Sequence, residues 1–481
     1  TTQTNDTTPR SMTQGALLKA SNLSVTRGAR PVLDNLDIQI NQEDILCLIG
    51  ENGSGKTTLI ESLIGILPIN TGQIKWLSGD GNSVIVRDHL GARRKPFPFG
   101  LTLQSDGICG EEKVRERLES ALKVNGLNLK QNEIMSFLDE WGLSHRSEDR
   151  VSQLSAGLRR RLAVLSGMAP VLFCETPRIV FLDEPTEGLD LFSRDLLKSW
   201  IGELSANGNA VVMASHDKDL ISCSTRILRV EDGKISETKN TTEISELKER
   251  KLFVDTSSDS IRSFFLWGVS IERRNPVDTI GKATPAILAL LLSYSIVGRT
   301  NISNSELELF SALILAPAFI SAIVSPAMIR RLNEEDCGKW WSATCGPQFR
   351  PATSLLASSI ILPIPLTYLS WFVLEGMITG DVNQNAIYWL WLPSIVIMDI
   401  SCASTALHML VSDLRRSSAA AASLLLVVLV WPFIQVVDAL SMILDSGMTW
   451  ELSTSSPLVS LLFASVISAM VWAVAIFIPD A

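Results

Sequence analysis

The sequence is short of charge. Asp, Glu, Lys and Arg make up only 19% of its 481 residues while apolar residues make up 46%, against roughly 25% charged in soluble domains. A basic excess is also missing. The formal net charge is −9, which argues against a nucleic-acid partner, because neutralising phosphates calls for a basic face. Seven cysteines (Cys47, Cys109, Cys174, Cys223, Cys337, Cys345, Cys402) contain no CxxC pair. They read as small buried hydrophobes or incidental thiols, and neither a disulfide frame nor a zinc site is expected. No basic region followed by an apolar core opens the sequence, so no signal peptide is expected and the charged half is expected to stay in the cytoplasm. No internal repeat is visible.

The residues that are present fall into two unlike halves. Residues 1 to about 250 read as an ordinary charged globular protein, whereas from about Thr279 long apolar blocks alternate with short polar loops. Residues 1–15 are rich in Thr, Ser and Gln without apolar periodicity, and a disordered tail is expected. Leu17 to Ile40 carries two strand-like stretches around a turn at Arg27-Gly28. Three continuous apolar runs, Ile45–Ile49, Ile179–Leu182 and Ala210–Ala214, have the character of buried central strands. Residues 110–141 alternate charged and apolar groups at helical spacing. Strands alternating with helices imply a mostly parallel sheet covered on both faces. The polar stretch 236–257 is expected to be a linker, which makes 16–235 one α/β domain.

Gly50-Glu51-Asn52-Gly53-Ser54-Gly55-Lys56-Thr57 fits GxxxxGK[ST] at every fixed position, follows a buried strand and opens a helix at Thr58. Glycines let main-chain N–H groups wrap phosphates, and the helix N-terminus adds partial positive charge. Gly50, Asn52, Gly53, Ser54, Gly55, Lys56, Thr57 and Thr58 are therefore the candidate phosphate-binding set, with Lys56 on the β- and γ-phosphates and Thr57 on Mg²⁺. Asp183-Glu184 ends the run Ile179–Leu182, at the sheet edge where α/β ligands bind. Asp183 is the candidate Mg²⁺ ligand, and Glu184 the candidate base for the attacking water.

On these residues the sequence resembles the ABC ATPase family. Leu154-Ser155-Ala156-Gly157 resembles its signature LSGGQ and lies 25 residues before Ile179, as in that family. Gln104 resembles the Q-loop glutamine, a further Mg²⁺ contact, and Glu187-Gly188-Leu189-Asp190 the D-loop. His216 resembles the switch histidine that meets the γ-phosphate; its other reading is a structural histidine. The resemblance implies an ATP- and Mg²⁺-dependent P-loop hydrolase whose two copies close head to tail, with Ser155 and Gly157 of one copy facing the nucleotide on Lys56, Thr57 and Asp183 of the other, and Asp190 among the nucleotide-binding residues. Two positions depart from the pattern. Leu158 stands where the signature usually has Gln, and no aromatic occupies the usual adenine-stacking place near the N-terminus. Arg27 lies in that neighbourhood and has two readings, a stacking guanidinium or a solvated turn residue.

A bilayer-spanning helix needs about 20 mostly apolar residues. Six blocks qualify, near 278–298, 306–328, 352–374, 386–411, 418–443 and 456–478, so 276–481 reads as an all-α six-helix transmembrane domain. Arg262, Arg273, Arg274, Lys282, Arg330, Arg331, Lys339, Arg350, Arg415 and Arg416 fall on one side, and only Arg299 on the other. This asymmetry predicts a multi-pass plasma-membrane protein with both termini in the cytoplasm. Residues 258–275, aromatic and basic at one end, are expected to form an interfacial elbow helix. The loop Arg330–Gly338 is either a solvated charged loop or the part that presses on the ATPase domain. Asp399, His408 and Asp438 fall inside spans, where ionisable groups are functional candidates. His408 reads either as a haem ligand or proton relay, or as a side chain bonded to a neighbour.

The second half resembles ABC-2 exporters. Within them, LSAG, the turn Thr26–Arg30, the segment Glu272–Pro276 and the loop Arg330–Gly338 resemble the haem exporter of cytochrome c maturation. That resemblance implies haem as cargo and haem-handling membrane proteins as partners. Export of a lipid, glycan or drug is one alternative reading. The other is an ATPase that remodels a membrane complex without net translocation.

Overall fold

The computed structural model describes residues 15–79, 81–240, 250, 252–254, 259–299, 302–303, 306–323, 327–359, 363–413, 418–453 and 456–477. The tail read up to residue 14, most of 241–258 and the loop pair Arg415-Arg416 lie outside the described residues. The chain forms two units. The first is built on the chain up to Phe264 together with Leu332–Pro347, and the second on Phe265–Arg331 and Gln348–Asp480.

In chain order the first unit has β1 (Ala16–Arg27), β2 (Arg30–Asn41), β3 (Ile45–Ile49), α1 (Lys56–Leu63), β4 (Thr71–Leu77), β5 (Ser83–Asp88), β6 (Gly100–Thr102), α2 (Val114–Val124), α3 (Gln131–Glu140), α4 (Ala156–Leu172), β7 (Ile179–Asp183), α5 (Leu191–Ala206), β8 (Ala210–Ala214), α6 (Lys218–Ser222), β9 (Arg226–Glu231) and β10 (Lys234–Lys239). Strands β6, β7, β8, β3 and β9 lie side by side and parallel, with β10 antiparallel at the edge. Every residue of β7 and β8 is buried, which is why these strands are continuous apolar runs: a parallel sheet is covered on both faces. A second sheet is antiparallel, in the order β2–β1–β4–β5. Its first two strands slip register beside Asn22 and Asn35, which take left-handed φ of 51° and 49°, a conformation Asn accepts more readily than branched residues. The parallel order brings the carboxyl ends of β3, β7 and β8 to one edge, and the loops after them carry Gly50–Gly55, Glu184 and His216.

The stretch read as a linker carries structure at both ends. β10 stays paired with β9 as far as Lys239. Farther on, Phe253 bridges to Cys174, its N–H donating to the Phe173 carbonyl at 2.8 Å. Arg250, whose side chain is only 8% exposed, pairs with Glu203 and, at 2.7 Å, with Glu140. Its guanidinium lies 5.0 Å from the Trp200 ring centroid.

The remaining helices are α7 (Ser260–Arg274), α8 (Pro276–Val297), α9 (Leu307–Ile323), α10 (Ala327–Asn333), α11 (Cys337–Cys345), α12 (Phe349–Ser359), α13 (Pro363–Leu374), α14 (Trp391–Asp413), α15 (Ser418–Ser446) and α16 (Pro457–Phe477). Helix α7 covers most of the stretch 258–275 expected to be an elbow helix. Within the second unit, α14 packs on α15 and α16, and α9 on α8, α13 and α15. Its polarity is inverted. Phe372, Phe463, Val466 and Met470 are exposed, while Ser370, Ser394, Thr367 and Thr405 are buried. Each of these four hydroxyls bonds the carbonyl one turn back, at 2.6–2.9 Å. Apolar groups outside and hydroxyls between helices suit a lipid solvent. His408 bonds the Ile323 carbonyl at 3.4 Å, and Asp399 accepts from Ser465 at 3.2 Å.

Four helical stretches among the described residues are long and apolar enough to cross a membrane: one within Leu307–Ala357, Gln384–Leu410, Val427–Ser446 and Pro457–Phe477. The sequence count of six is therefore not matched. The first block yields only a short apolar helix, Ala283–Val297. The third is divided between α12 and α13, with residues 360–362 outside the described set.

Leu332–Pro347, flanked on both sides by the second unit, belongs to the first. Its turn holds two consecutive non-glycine residues in the left-handed region, Glu335 (φ 46°) and Asp336 (φ 57°). Such turns persist only where their surroundings fix them. Here the Gly107 N–H donates to the Glu335 carbonyl at 3.0 Å, Ser105 Oγ donates to Asp336 Oδ2 at 2.5 Å, and Arg159 meets Glu335 at 3.3 Å. Helix α11 then places the Trp340 ring 3.8 Å under the fully buried guanidinium of Arg117. The charged loop is thus engaged by the turn that follows Gln104.

Removing Arg250 leaves two carboxylates without their cation, one of them buried. Arg250→Ala is expected to destabilise the first unit by about 3 kcal/mol, read as a fall in the denaturation midpoint of the full chain in detergent.

Candidate active site

Helix α1 starts at Lys56 with Gly55 as its N-cap, so the free N–H groups of its first turn face the loop Gly50–Gly55. Gly50 (φ 153°) is required by space, since a β-carbon there would meet the Val230 carbonyl at 2.4 Å and Ser54 Oγ at 2.7 Å. The Ser54 hydroxyl is buried with no hydrogen-bond partner among the described residues. Lys56 Nζ folds over the loop and donates to the Gly50 carbonyl at 2.7 Å and the Glu51 carbonyl at 3.1 Å. These are the donors a phosphate chain would take up. A cleft of about 510 Å³ opens over Glu51–Ser54, Asn52 and Gly53 included, between Arg30–Val32 and Val230–Gly233. A larger cleft of about 680 Å³ between β2 and the β9–β10 hairpin holds none of the motif residues. Thr58 is buried within α1, its carbonyl accepting from Ser62 Oγ at 2.7 Å.

Asp183, at the end of β7, is buried and hydrogen-bonds with Thr57. Burial chiefly, then the nearby charges of Glu184 and Glu61, push its carboxyl up to about 6 against the opposing Thr57 bond. A threonine hydroxyl beside a carboxylate, in a crowd of negative charge, fits Mg²⁺, which takes hard oxygen ligands and offsets anionic charge. When bound there, the cation would neutralise charge developing on phosphate oxygens.

The same edge gathers the remaining chemistry. His216 Nε2 lies 3.2 Å from Lys56 Nζ and 3.5 Å from Glu184 Oε1. Loops after β3, β7 and β8 thus converge on one imidazole. The Glu184 N–H donates to the Ala214 carbonyl at 2.9 Å, fastening the end of β7 to the end of β8. The backbone of Glu184 is left-handed, with φ of 45°. Its carboxylate is partly exposed on the side of the His216 imidazole.

The other expected site residues stand apart from this cluster. The Gln104 side chain is exposed and makes no hydrogen bond to Asp183 or Thr57 among the described residues. Ser155 caps α4, its Oγ accepting from the Leu158 N–H at 3.4 Å. A β-carbon on Gly157 would press on the Gly188 carbonyl at 3.2 Å. Asp190 caps α5 through Ser193 and pairs with Arg161 at 2.9 Å.

Two residues went unread in the sequence. Glu61 has a side chain only 4% exposed and pairs with Arg27 and, at 3.3 Å, with Lys339. The Arg27 guanidinium is therefore held by a carboxylate. The signal was an acid inside the apolar run Leu59–Leu63. Arg160 is the other, hidden in the run Arg159–Arg161, which resembles a solvated face.

A glycine loop at a helix N-terminus, with a buried Asp and a partly exposed Glu at the end of β7 on the same sheet edge, defines a P-loop nucleoside triphosphatase. The model for ABC transporters matches residues 33–187. The chain is 30% identical over 207 residues to the putative hemin import ATP-binding protein HrtA of Staphylococcus haemolyticus, across 90% of that protein and 42% of this one. It is 28% identical over 230 residues to the macrolide export ATP-binding/permease protein MacB of Acinetobacter baylyi, across 47% of this chain. It spans only about a third of the MacB relatives. A solved ATP-binding subunit of an ABC transporter aligns over 46% of this chain and 90% of its own, at 21% identity and a TM-score of 0.40. The chain belongs to the ABC transporter family, and its first unit is that family's ATPase domain.

If Glu184 is the base, Glu184→Gln will bind ATP as the parent does and hydrolyse it about 100-fold or more slowly. Phosphate release and nucleotide binding measured side by side test this, and normal turnover would refute the assignment.

Proposed function

We propose that this protein is an ATP-driven transporter acting as a homodimer in the plasma membrane, with both termini and the ATPase domain cytoplasmic. The N–H groups of Gly50–Thr58 and Lys56 hold the phosphates of ATP. Thr57, Asp183 and Gln104 hold Mg²⁺. Glu184 takes the proton of the attacking water, and His216 contacts the γ-phosphate. Ser155, Gly157 and Asp190 of a second copy complete each site. The chain divides into an ATPase domain up to about residue 235, a connecting stretch to 257, an elbow helix to 275 and a transmembrane domain of six spans beyond it.

One observation carries the reading. Leu332–Pro347 leaves the apolar unit, engages Ser105, Gly107, Arg117 and Arg159 of the ATPase unit, and returns. A change at the turn after Gln104 is thereby pulled directly on the chain that continues into α10 and α12.

For the cargo, we favour haem, with release to haem-handling membrane proteins of cytochrome c maturation. The short motifs of both halves support it, as does the likeness to HrtA, named a putative hemin import ATP-binding protein. Export of a drug is the second reading, supported by the likeness to MacB, a macrolide export ATP-binding/permease protein that also joins an ATP-binding part to a permease.

In the purified dimer, haem is expected to stimulate ATP hydrolysis and to co-purify with a Soret band, whereas macrolides and phospholipids leave the rate unchanged. Stimulation by a macrolide alone would replace the haem reading with drug export. Stimulation by haem without uptake into inverted vesicles would favour remodelling of a complex. Trp340→Ala, which removes the ring under Arg117, is expected to keep basal hydrolysis and lose the cargo-stimulated part, read in the same assay.

A further inference from the structure

The three arginines after the signature do different jobs. Arg159 meets Glu335 and Arg161 meets Asp190. Arg160 turns inward, its side chain 5% exposed. Nη2 donates to the carbonyls of Asp183 at 2.7 Å and Glu184 at 2.8 Å. Nη1 donates to the carbonyls of Leu103 at 2.7 Å and Gln104 at 3.3 Å, and to Asp106 Oδ1 at 3.0 Å. One guanidinium thus joins the end of β7 to the turn that carries Gln104.

Both ends of this bridge are strained. Glu184 has φ of 45° and Asp106 has φ of 59°, the left-handed region that non-glycine residues avoid. A residue keeps such a backbone only when its surroundings over-determine it. At Glu184 the N–H is taken by the Ala214 carbonyl, and the carbonyl is taken by Arg160 and by the Glu187 N–H at 3.1 Å. A planar fork is suited to this duty, because its donors are fixed relative to one another. Lysine offers a single rotating centre.

We propose that Arg160 is a positioning residue for hydrolysis: it holds the strained backbone of Glu184, so that the carboxylate is aimed at water, and makes that aim depend on the turn Leu103–Asp106. This rests on the reading of Glu184 as the base. Arg160 touches no nucleotide in this scheme. Its loss therefore acts on turnover and leaves ATP binding alone.

The test uses the full-length dimer in detergent, with MgATP as substrate and thermal unfolding followed for each variant. Arg160→Met is expected to lower kcat about 100-fold, the scale of a misplacement of about 1 Å, with KM for ATP within about threefold. Arg160→Gln keeps two N–H donors and sheds the buried charge, and is expected to recover about tenfold of that loss. It is the deciding variant if Arg160→Met does not fold. Because Arg160 acts through Glu184, adding Arg160→Gln to Glu184→Gln should lower the residual rate no further, a non-additivity that a merely structural role would not produce. An unchanged kcat in Arg160→Gln beside an inactive Glu184→Gln would overturn the clamp and leave the base standing. So would a rise in KM as large as the fall in kcat, or an equal fold loss in both backgrounds. Normal turnover in Glu184→Gln would remove the base assignment itself.

Discussion

A buried acid at the end of β7 sets the terms for the first unit. Asp183 lies in the interior with Glu184 beside it and Glu61 near enough to raise its affinity for a proton. Negative charge at such density is expensive without compensation. The protein supplies cations from several directions. Lys56 meets His216, next to Glu184; Arg160 faces the carbonyls of Asp183 and Glu184; Arg27 and Lys339 flank Glu61. What these cations leave uncovered is the edge where Thr57 and Asp183 meet. A divalent metal with its phosphates is the natural complement there, and charge balance ties nucleotide binding to the packing of this edge.

The same balance explains why Leu332–Pro347 belongs to the ATPase unit. Lys339 is one of the two cations on Glu61, a residue of the P-loop helix, and Asp336 and Glu335 fasten to the turn after Gln104. The segment is therefore bonded to both the phosphate-binding helix and the Q-loop turn. Its left-handed pair, Glu335-Asp336, is a conformation with a cost of about 1–3 kcal/mol per residue, met by those bonds.

How much of this the sequence disclosed follows from the range of the interactions. The P-loop and the central strands were legible because their chemistry is local: glycines at fixed spacing, and runs such as Ile179–Leu182 that only a doubly covered strand accommodates. Lys56, Asp183 and Glu184 were singled out for the same reason and His216 by resemblance to the switch histidine; its imidazole lies 3.2 Å from Lys56 and 3.5 Å from Glu184. Arg160, Glu61 and Arg250 were not found. Each is a charged residue whose burial is decided by partners far along the chain: Arg160 by Asp183, Glu61 by Lys339, Arg250 by Glu140. Composition makes such residues look solvated. The count of spans is a different case. Hydropathy sums over a window do not register a block divided between α12 and α13, and six apolar blocks correspond to four long apolar helical stretches among the described residues.

The second unit shows why cargo is harder to read than catalysis. Phosphate chemistry demands particular groups at particular spacings, and those survive as motifs. An apolar or amphipathic cargo demands only a path, and the interior here is lined with hydroxyls that bond back to their own helices, as Thr367, Ser370, Ser394 and Thr405 do. Ser311, Ser401, Ser404 and Ser468 are buried with no hydrogen-bond partner among the described residues, whereas the four that bond back are satisfied without a ligand and select no substrate. His408 is similar, since a bond to the Ile323 carbonyl accounts for one ring nitrogen. The motifs that bear on cargo, Glu272–Pro276 and Arg330–Gly338, lie where α7 passes into α8 and where α10 passes into α11.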